Sequence, residues 1–303
     1  MKIIMQKNII LFSLLLISII NFGQTTSILI PGTKYSMIPP EDFILSTSFS
    51  GFQNNETGAS IMIMDIPASY LSLVPGFTKE ALKTKGMDLL SKENVKYKNS
   101  NAMLFKVSQK ANGVNYLKQV LLFGDEKITV MVNGIYPEQS KDSENEIKKS
   151  LFTIERNEKL VEKPLESVNF SINVDGTDYK YVKSFAGSLF YTEDDKIPTE
   201  KGLLGVSYSL GHKVNSDYKQ FSIDRLKKLP NASNSVIKTI DKVTISDMEG
   251  YEIVAEDNSK QLIYLVMLFT PDKEYYLIVG QAKEDKEKNL EVYKKVAKTF
   301  KIN

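Results

Sequence analysis

The sequence predicts an α+β protein made of two tandem copies of one unit, each an antiparallel β-sheet with α-helices packed on it. The first observation behind this is that the chain matches itself. Phe123–Gly134 (FGDEKITVMVNG) lines up with Phe269–Gly280 (FTPDKEYYLIVG) at a shift of 146 residues. Gly58 pairs with Gly202, Phe77 with Phe221 and Leu82 with Leu226 at a shift of 144, and Phe152 with Phe300 at 148. The second observation is the order within each copy: strands, a helix, an antiparallel meander and a closing helix. That segregation favours α+β over a doubly wound sheet. The third is length, since 303 residues correspond to about two domains.

The N-terminus stands apart from the fold. Lys2 and Lys7 are followed by a twelve-residue apolar run, Ile9–Ile20, and Asn21-Phe22-Gly23-Gln24 offers a cleavage zone. Residues 1–23 therefore read as a signal peptide, because the run falls short of the ~20 residues a membrane span needs. No cysteine follows it, so no lipoprotein anchor is expected, and no stable membrane anchor after cleavage.

In the first copy (25–154), Ala59–Pro67 reads as a strand with Ile61 and Ile63 on one face and Met62 and Met64 on the other, hence covered from both sides. Thr78 caps a helix expected to run to about Leu90, with Leu82 and Leu89 inward. Strands at Ala102–Gln109, Asn115–Phe123 and Lys127–Gly134 follow, separated by the turn signals Asn112-Gly113 and Gly124-Asp125. Ser143–Phe152 closes the copy as a helix with Ile147 and Leu151 on one side. Glu155–Ser167 is charged, contains Pro164 and reads as a solvated linker (155–167).

The second copy (168–303) repeats the plan. Leu203–Leu210 is its strand, Ser222 opens its helix, and Gly250–Ala255, Gln261–Phe269 and Glu274–Gly280 form the meander. Lys288–Phe300 is the closing helix. Both copies begin with extended regions, Ile28–Phe52 and Phe170–Tyr191, that should add edge strands.

Composition excludes several functions. Removing the two leader lysines from the 39 basic residues leaves 37, equal to the 37 acids. Only Arg156 and Arg225 are arginine, and a neutral, nearly Arg-free chain is a poor nucleic-acid binder. With no cysteine, thiol catalysis and thiolate metal sites are absent, and ordinary cores rather than disulfides must stabilise an exported protein.

The order of elements resembles the PsbP-like α/β/α sandwich fold. Gly51-Phe52-Gln53, Gly58-Ala59-Ser60-Ile61-Met62-Ile63, the helix after Phe77, Lys118–Phe123 and Val130–Gly134 carry the likeness. The first copy is also similar to uncharacterised exported proteins of the Bacteroidetes type. The second lacks GFQ and has Gly202-Leu203-Leu204-Gly205 in place of GASI. The resemblance implies adaptor or assembly roles and transfers no functional residue.

Candidate chemistry is sparse. His212 is the only histidine and sits in a turn context, with Ala68 at its aligned position. There is no G-x-S-x-G elbow, and Ser–Lys combinations are too abundant to signal. Asp194-Asp195 and Glu284-Asp285-Lys286-Glu287 could offer oxygen ligands, but lysines interleave them. Met62, Met64, Met87, Met103 and Met131 read as core filling rather than thioether ligands. Tyr179-Lys180-Tyr181 and Tyr275-Tyr276 each place only some rings outward. Pro39-Pro40-Glu41-Asp42 and Pro67-Ala68-Ser69-Tyr70 are loops without clear counterparts in the second copy.

No catalytic, cofactor-binding or metal residue is therefore assigned and no cofactor is expected. The leading reading is an exported, non-catalytic binding or assembly protein of the bacterial cell envelope, periplasmic rather than extracellular. Its partner would be a protein or small ligand, not nucleic acid. The alternative is an envelope hydrolase or lyase using carboxylates or a Ser–Lys pair.

Overall fold

The meander strands are apolar on both faces, so each sheet must be covered twice. In the computed structural model, which describes residues 26–98, 100–111, 113–185, 187–209 and 213–303, this is what the short helices do. The first unit contains β1 (Ile28–Leu29), β2 (Tyr35–Met37), β3 (Ile44–Leu45), β4 (Gly51–Gln53) and β5 (Ser60–Ile66). Helices α1 (Tyr70–Leu73) and α2 (Lys79–Lys83) follow, then β6 (Met87–Tyr97), β7 (Ser100–Ala111), β8 (Val114–Gly124), β9 (Thr129–Pro137), α3 (Glu144–Leu151) and β10 (Glu155–Arg156). The second contains β11 (Phe170–Ser171), β12 (Lys180–Phe185), β13 (Ser188–Thr192), β14 (Gly202–Ser209) and α4 (Tyr218–Lys227). It ends with β15 (Val236–Ile245), β16 (Met248–Glu256), β17 (Leu262–Phe269), β18 (Tyr275–Ala282), α5 (Lys286–Ala297) and β19 (Lys301–Ile302).

Both units are α+β, with seven-stranded antiparallel sheets of the same order: β3-β4-β5-β9-β8-β7-β6 and β12-β13-β14-β18-β17-β16-β15. On one face of the first sheet, Leu121, Val130 and Val132 pack with Ile147 and Leu151 of α3. On the other, Met103, Phe105, Val120 and Leu122 pack with Tyr70 and Leu82 of α1 and α2. The second sheet is layered alike, with Tyr293, Val296 and Ala297 of α5 on one face and Leu226 of α4 on the other. A short strand before each sheet pairs with the one after its closing helix: β2 with β10, and β11 with β19.

A glycine seats each closing helix. A Cβ at Gly134 would lie 2.3 Å from Ile147 Cγ2, and one at Gly280 would lie 2.4 Å from Tyr293 Cδ2. These glycines calibrate the repeat. Gly134 lies opposite Ile61 and Gln119, and Gly280 opposite Leu204 and Tyr264. The match of Gly134 with Gly280 stands, as do the Leu82–Leu226 and Phe77–Phe221 matches, whose members share a face.

Three other matches are corrected. Phe123 is level with Leu268, not Phe269: Phe123 faces α3, whereas Phe269 faces α4. Gly202 is level with Ala59 rather than Gly58, and Phe300 with the fully buried Ile154 rather than Phe152. A one-residue slip reverses every side chain of a strand, which identity matching does not register.

Other expectations also shift. The helix after Thr78 ends at Lys83, because Gly86 turns the chain at φ +71°, and Leu89 lies on β6. The second helix begins after Asp217, whose carboxylate accepts from Gln220 N, not at Ser222. The segment 155–167 is partly ordered: Glu155 and Arg156 form β10, Asn157 N and Lys163 N donate to Lys34 O and Gly32 O, and Pro164–Ser167 is a 3-10 turn. The signal peptide, Asn112 and His212 lie outside the described residues.

Candidate functional site

The helices on one side of each sheet cover only half of it. Helices α1 and α2 sit over β7 and β8, leaving that face of β4, β5 and β9 without a helix. Sheet register builds the surface there. One cross-strand row runs Lys118, Ile135, Ser60, Gln53; the next runs Val120, Asn133, Met62, Gly51; a third runs Leu122, Met131, Met64. Neighbouring strands are about 4.8 Å apart and successive rows about 7 Å apart.

Met62, Met64 and Ile135 are half-buried, yet none packs into a hydrophobic core. Of the five methionines expected to fill the core, only Met103 is fully part of it, with Met87 and Met131 at its margin. Gly51 allows the close β4–β5 approach, since a Cβ there would lie 1.9 Å from Ile61 O. The GFQ segment is therefore a strand, with Phe52 in the core. Gln53 Oε1 and Asn133 Oδ1 are buried without a hydrogen-bond partner. Lys118 Nζ donates to Gln109 Oε1 at 2.6 Å, and burial lowers its pKa. In the second sheet the same half carries half-buried Leu203, Gly205, Ser207, Phe190 and Gln281.

A second polar group lies at one end of the first unit. Tyr35 donates to Asp65 Oδ1 at 2.7 Å, Lys34 and Glu162 are 3.7 Å apart, and Arg156 Nε is 3.2 Å from Glu158 Oε1. Burial raises the Asp65 carboxyl, with the Tyr35 hydrogen bond opposing it. The corresponding place in the second unit is aromatic, with Tyr208 stacked on Tyr276 at 4.4 Å and Phe170 edge-on to Tyr276. Its contacts tie β2, β5 and the connecting segment together.

The remaining candidates are placed in turns, helix starts and cores. Asp194 accepts from Thr199 Oγ1 at 2.7 Å, a contact that lowers its pKa, and Asp195 faces Lys180. Glu284 and Asp285 lead into α5, where the Glu284 carbonyl accepts from Asn289 Nδ2. Tyr275 and Tyr276 are both buried, on opposite faces. Tyr179 is buried and donates to Tyr293 Oη at 2.8 Å, while Tyr181 packs on Tyr191. Thr129 donates to Ala68 O, fixing the Pro67–Tyr70 loop, and Phe43 N donates to Pro40 O. Among the described residues no group of three or more His, Cys, Asp or Glu is placed to hold a metal ion. No helix there is long and apolar enough to cross a membrane. Two open pockets, of about 530 Å³ beside Lys148, Lys149 and Phe152 and about 380 Å³ beside Ile172 and Thr299, lie away from the uncovered face.

No family model and no curated protein matches the chain. In structure it is similar to a protein from Bacteroides thetaiotaomicron at 15% identity and TM-score 0.30, over 49% of this chain. It spans about half of that protein's length, 53%. It is similar to the Tle4-Tli4 complex at 11% identity and TM-score 0.36, over 90% of this chain and 97% of that one. It is also similar to the immunity protein TplEi of T6SS from Pseudomonas aeruginosa at 12% identity and TM-score 0.34, over 91% and 96%. Superpositions this loose leave the function to be argued from the molecule itself.

Proposed function

We propose that this chain is an exported, non-catalytic binding or assembly protein of the bacterial cell envelope, acting in the periplasm. In this reading a signal peptide (1–23) is lost and two PsbP-like units, 25–154 and 168–303, are joined through 155–167. The observation that carries the proposal is the uncovered half-sheet, where Met62, Met64 and Ile135 are half-buried outside any core. A contiguous apolar surface with interspersed polar groups is what a protein contact buries.

The sheet edges compete poorly for this role: the edge strand β3 is only two residues long, and the other three carry features that oppose strand addition. Strands β6, β12 and β15 each carry a bulge, at Leu90, Val182 and Lys238, and each carries two lysines: Lys92 and Lys96, Lys180 and Lys183, Lys238 and Lys242. Bulges and lysines discourage strand addition, so the partner engages a face rather than extending a sheet.

The test is site-specific photo-crosslinking in the full chain, exported by a bacterial host, with benzoyl-phenylalanine at Met64, at Leu203 and at the exposed control Lys141. A discrete protein adduct from Met64 or Leu203 and none from Lys141 is expected. Equal adducts at all three positions, or none at any, would reject the proposal.

A further inference from the structure

We infer that the uncovered face of the first unit takes an extended, acidic segment of a partner protein, with a carboxylate on Lys118 and apolar side chains on Met62, Met64 and Ile135. The inference rests on the binding reading above and names the partner's chemistry. Lys118 is the only charged residue in the three rows of this half-sheet. Its ammonium has one neutral acceptor, Gln109 Oε1, and among the described residues it joins no ion pair. A cation flanked in its row by Val107 and Ile135 is partly stripped of water, so a carboxylate brought to it gains more than at an open surface.

The neutral groups point the same way. Gln53 is 8% exposed, and its Oε1, like Asn133 Oδ1, lacks a donor. The backbone N–H groups of an extended segment supply donors once the two side-chain amides rotate to present their oxygens. Lys118 and Met62 are two strands and one row apart, about 12 Å, or about four residues of extended chain, whose side chains i and i+4 face the same way. An acid four positions from an apolar residue therefore reaches both Lys118 and Met62. The second unit has no equivalent: the position level with Lys118 is Ile263, buried against α4. The acidic preference thus belongs to the first unit alone.

The experiment uses the full exported chain with methionine methyl groups labelled for NMR, titrated with three twelve-residue Leu/Val-containing peptides whose variable positions are Asp, Ser or Lys. The Asp peptide should shift the Met62 and Met64 methyls at a concentration about tenfold below that of the Lys peptide, leaving Met248 and Met267 unmoved. Lys118→Met should remove that advantage and Lys118→Arg should keep it. Added salt should weaken the Asp peptide in the unsubstituted chain, which reads the same contact without a substitution. Equal shifts from all three peptides would overturn the acidic preference and leave the binding reading standing. No shift at Met62 or Met64 from any peptide would overturn both.

Discussion

Replacing Gly134 with alanine puts a methyl group into the contact that seats α3 on the first sheet. The new Cβ would lie 2.3 Å from Ile147 Cγ2 and 3.6 Å from Leu151 Cδ2. Ile147 is fully buried, and a β-branched residue in a helix has essentially one χ1 rotamer, so the side chain cannot swing aside. The helix must instead withdraw by more than about 1 Å to restore an ordinary carbon–carbon contact of ~3.5–4 Å. Overpacking of this kind costs about 1–3 kcal/mol, and the stiffer unfolded chain offsets about 0.4–1 kcal/mol. The net loss should be about 1–2 kcal/mol.

Ile147→Ala alone should cost ~2–5 kcal/mol, but it empties the space the new methyl needs. The double variant should therefore be about 1–2 kcal/mol more stable than the sum of the two changes. Urea unfolding followed by circular dichroism on the four chains measures this; the protein has no tryptophan. Gly280→Ala gives the matching test in the second unit, where three Tyr293 ring atoms lie 2.4–2.6 Å from the new Cβ. There the Tyr293 hydroxyl is held by Gln281 O and Tyr179, both at 2.8 Å, so the loss should be at least as large. Additive effects, or a neutral Gly134→Ala, would refute the claim that the helix rides on the glycine.

Three further outcomes are expected. Thr78 Oγ1 accepts from Ala81 N at 3.1 Å, so Thr78→Ala should cost about 1 kcal/mol and speed amide exchange at Ala81; unchanged exchange would refute the cap. Burial raises the Asp65 carboxyl above its ordinary value of 3.8, so the folded state holds its proton longer than the unfolded chain. Stability from this group is therefore highest below 3.8 and is lost as pH rises through the folded pKa. Asp65→Asn, which can still accept from Tyr35, should remove that slope, and parallel stability–pH curves for the two chains would contradict it. Tyr264 donates to Glu252 Oε2 at 2.8 Å, so Tyr264→Phe should destabilise the second unit by about 1–2 kcal/mol in urea unfolding. A variant as stable as the original would show that Lys294, 3.1 Å from Glu252, satisfies that carboxylate alone.

What could be read from the sequence was what hydrophobic pattern encodes. Strands β5, β8, β9, β17 and β18 carry apolar runs, and Ile147 and Leu151 mark α3, so the layers were legible. Strands β6 and β15 were missed because they lie at edges with most side chains exposed, where nothing selects for apolar alternation. Leu82 and Leu89 lie seven apart and mimic a helix face, although a glycine turn separates them onto different elements. The uncovered half-sheet was illegible for another reason. Met62 and Met64 alternate with Ile61 and Ile63 whether or not a helix covers them, and only the lateral reach of α1 and α2 decides which.

The register separates the positions the duplication keeps from those it changes. Of the positions facing the closing helix, Ile61 and Leu204, Val132 and Ile278, Leu121 and Val266, and Gly134 and Gly280 keep their character, while Gln119 and Tyr264 do not. On the uncovered half the pairs change class. Ser60 is level with Leu203, Met62 with Gly205, Met64 with Ser207, Asn133 with Val279 and Ile135 with Gln281. Gly51 opposite Met62 becomes Phe190 opposite Gly205, a small–large pair inverted across two strands with the volume between them retained. A face whose only task were to be solvated could keep its polar residues in both copies. Here bulk is kept while polarity and the Lys118 charge are redistributed, so the two units present surfaces of similar relief and different chemistry. Under the proposed binding role, one fold used twice in this way would offer two contacts with different preferences.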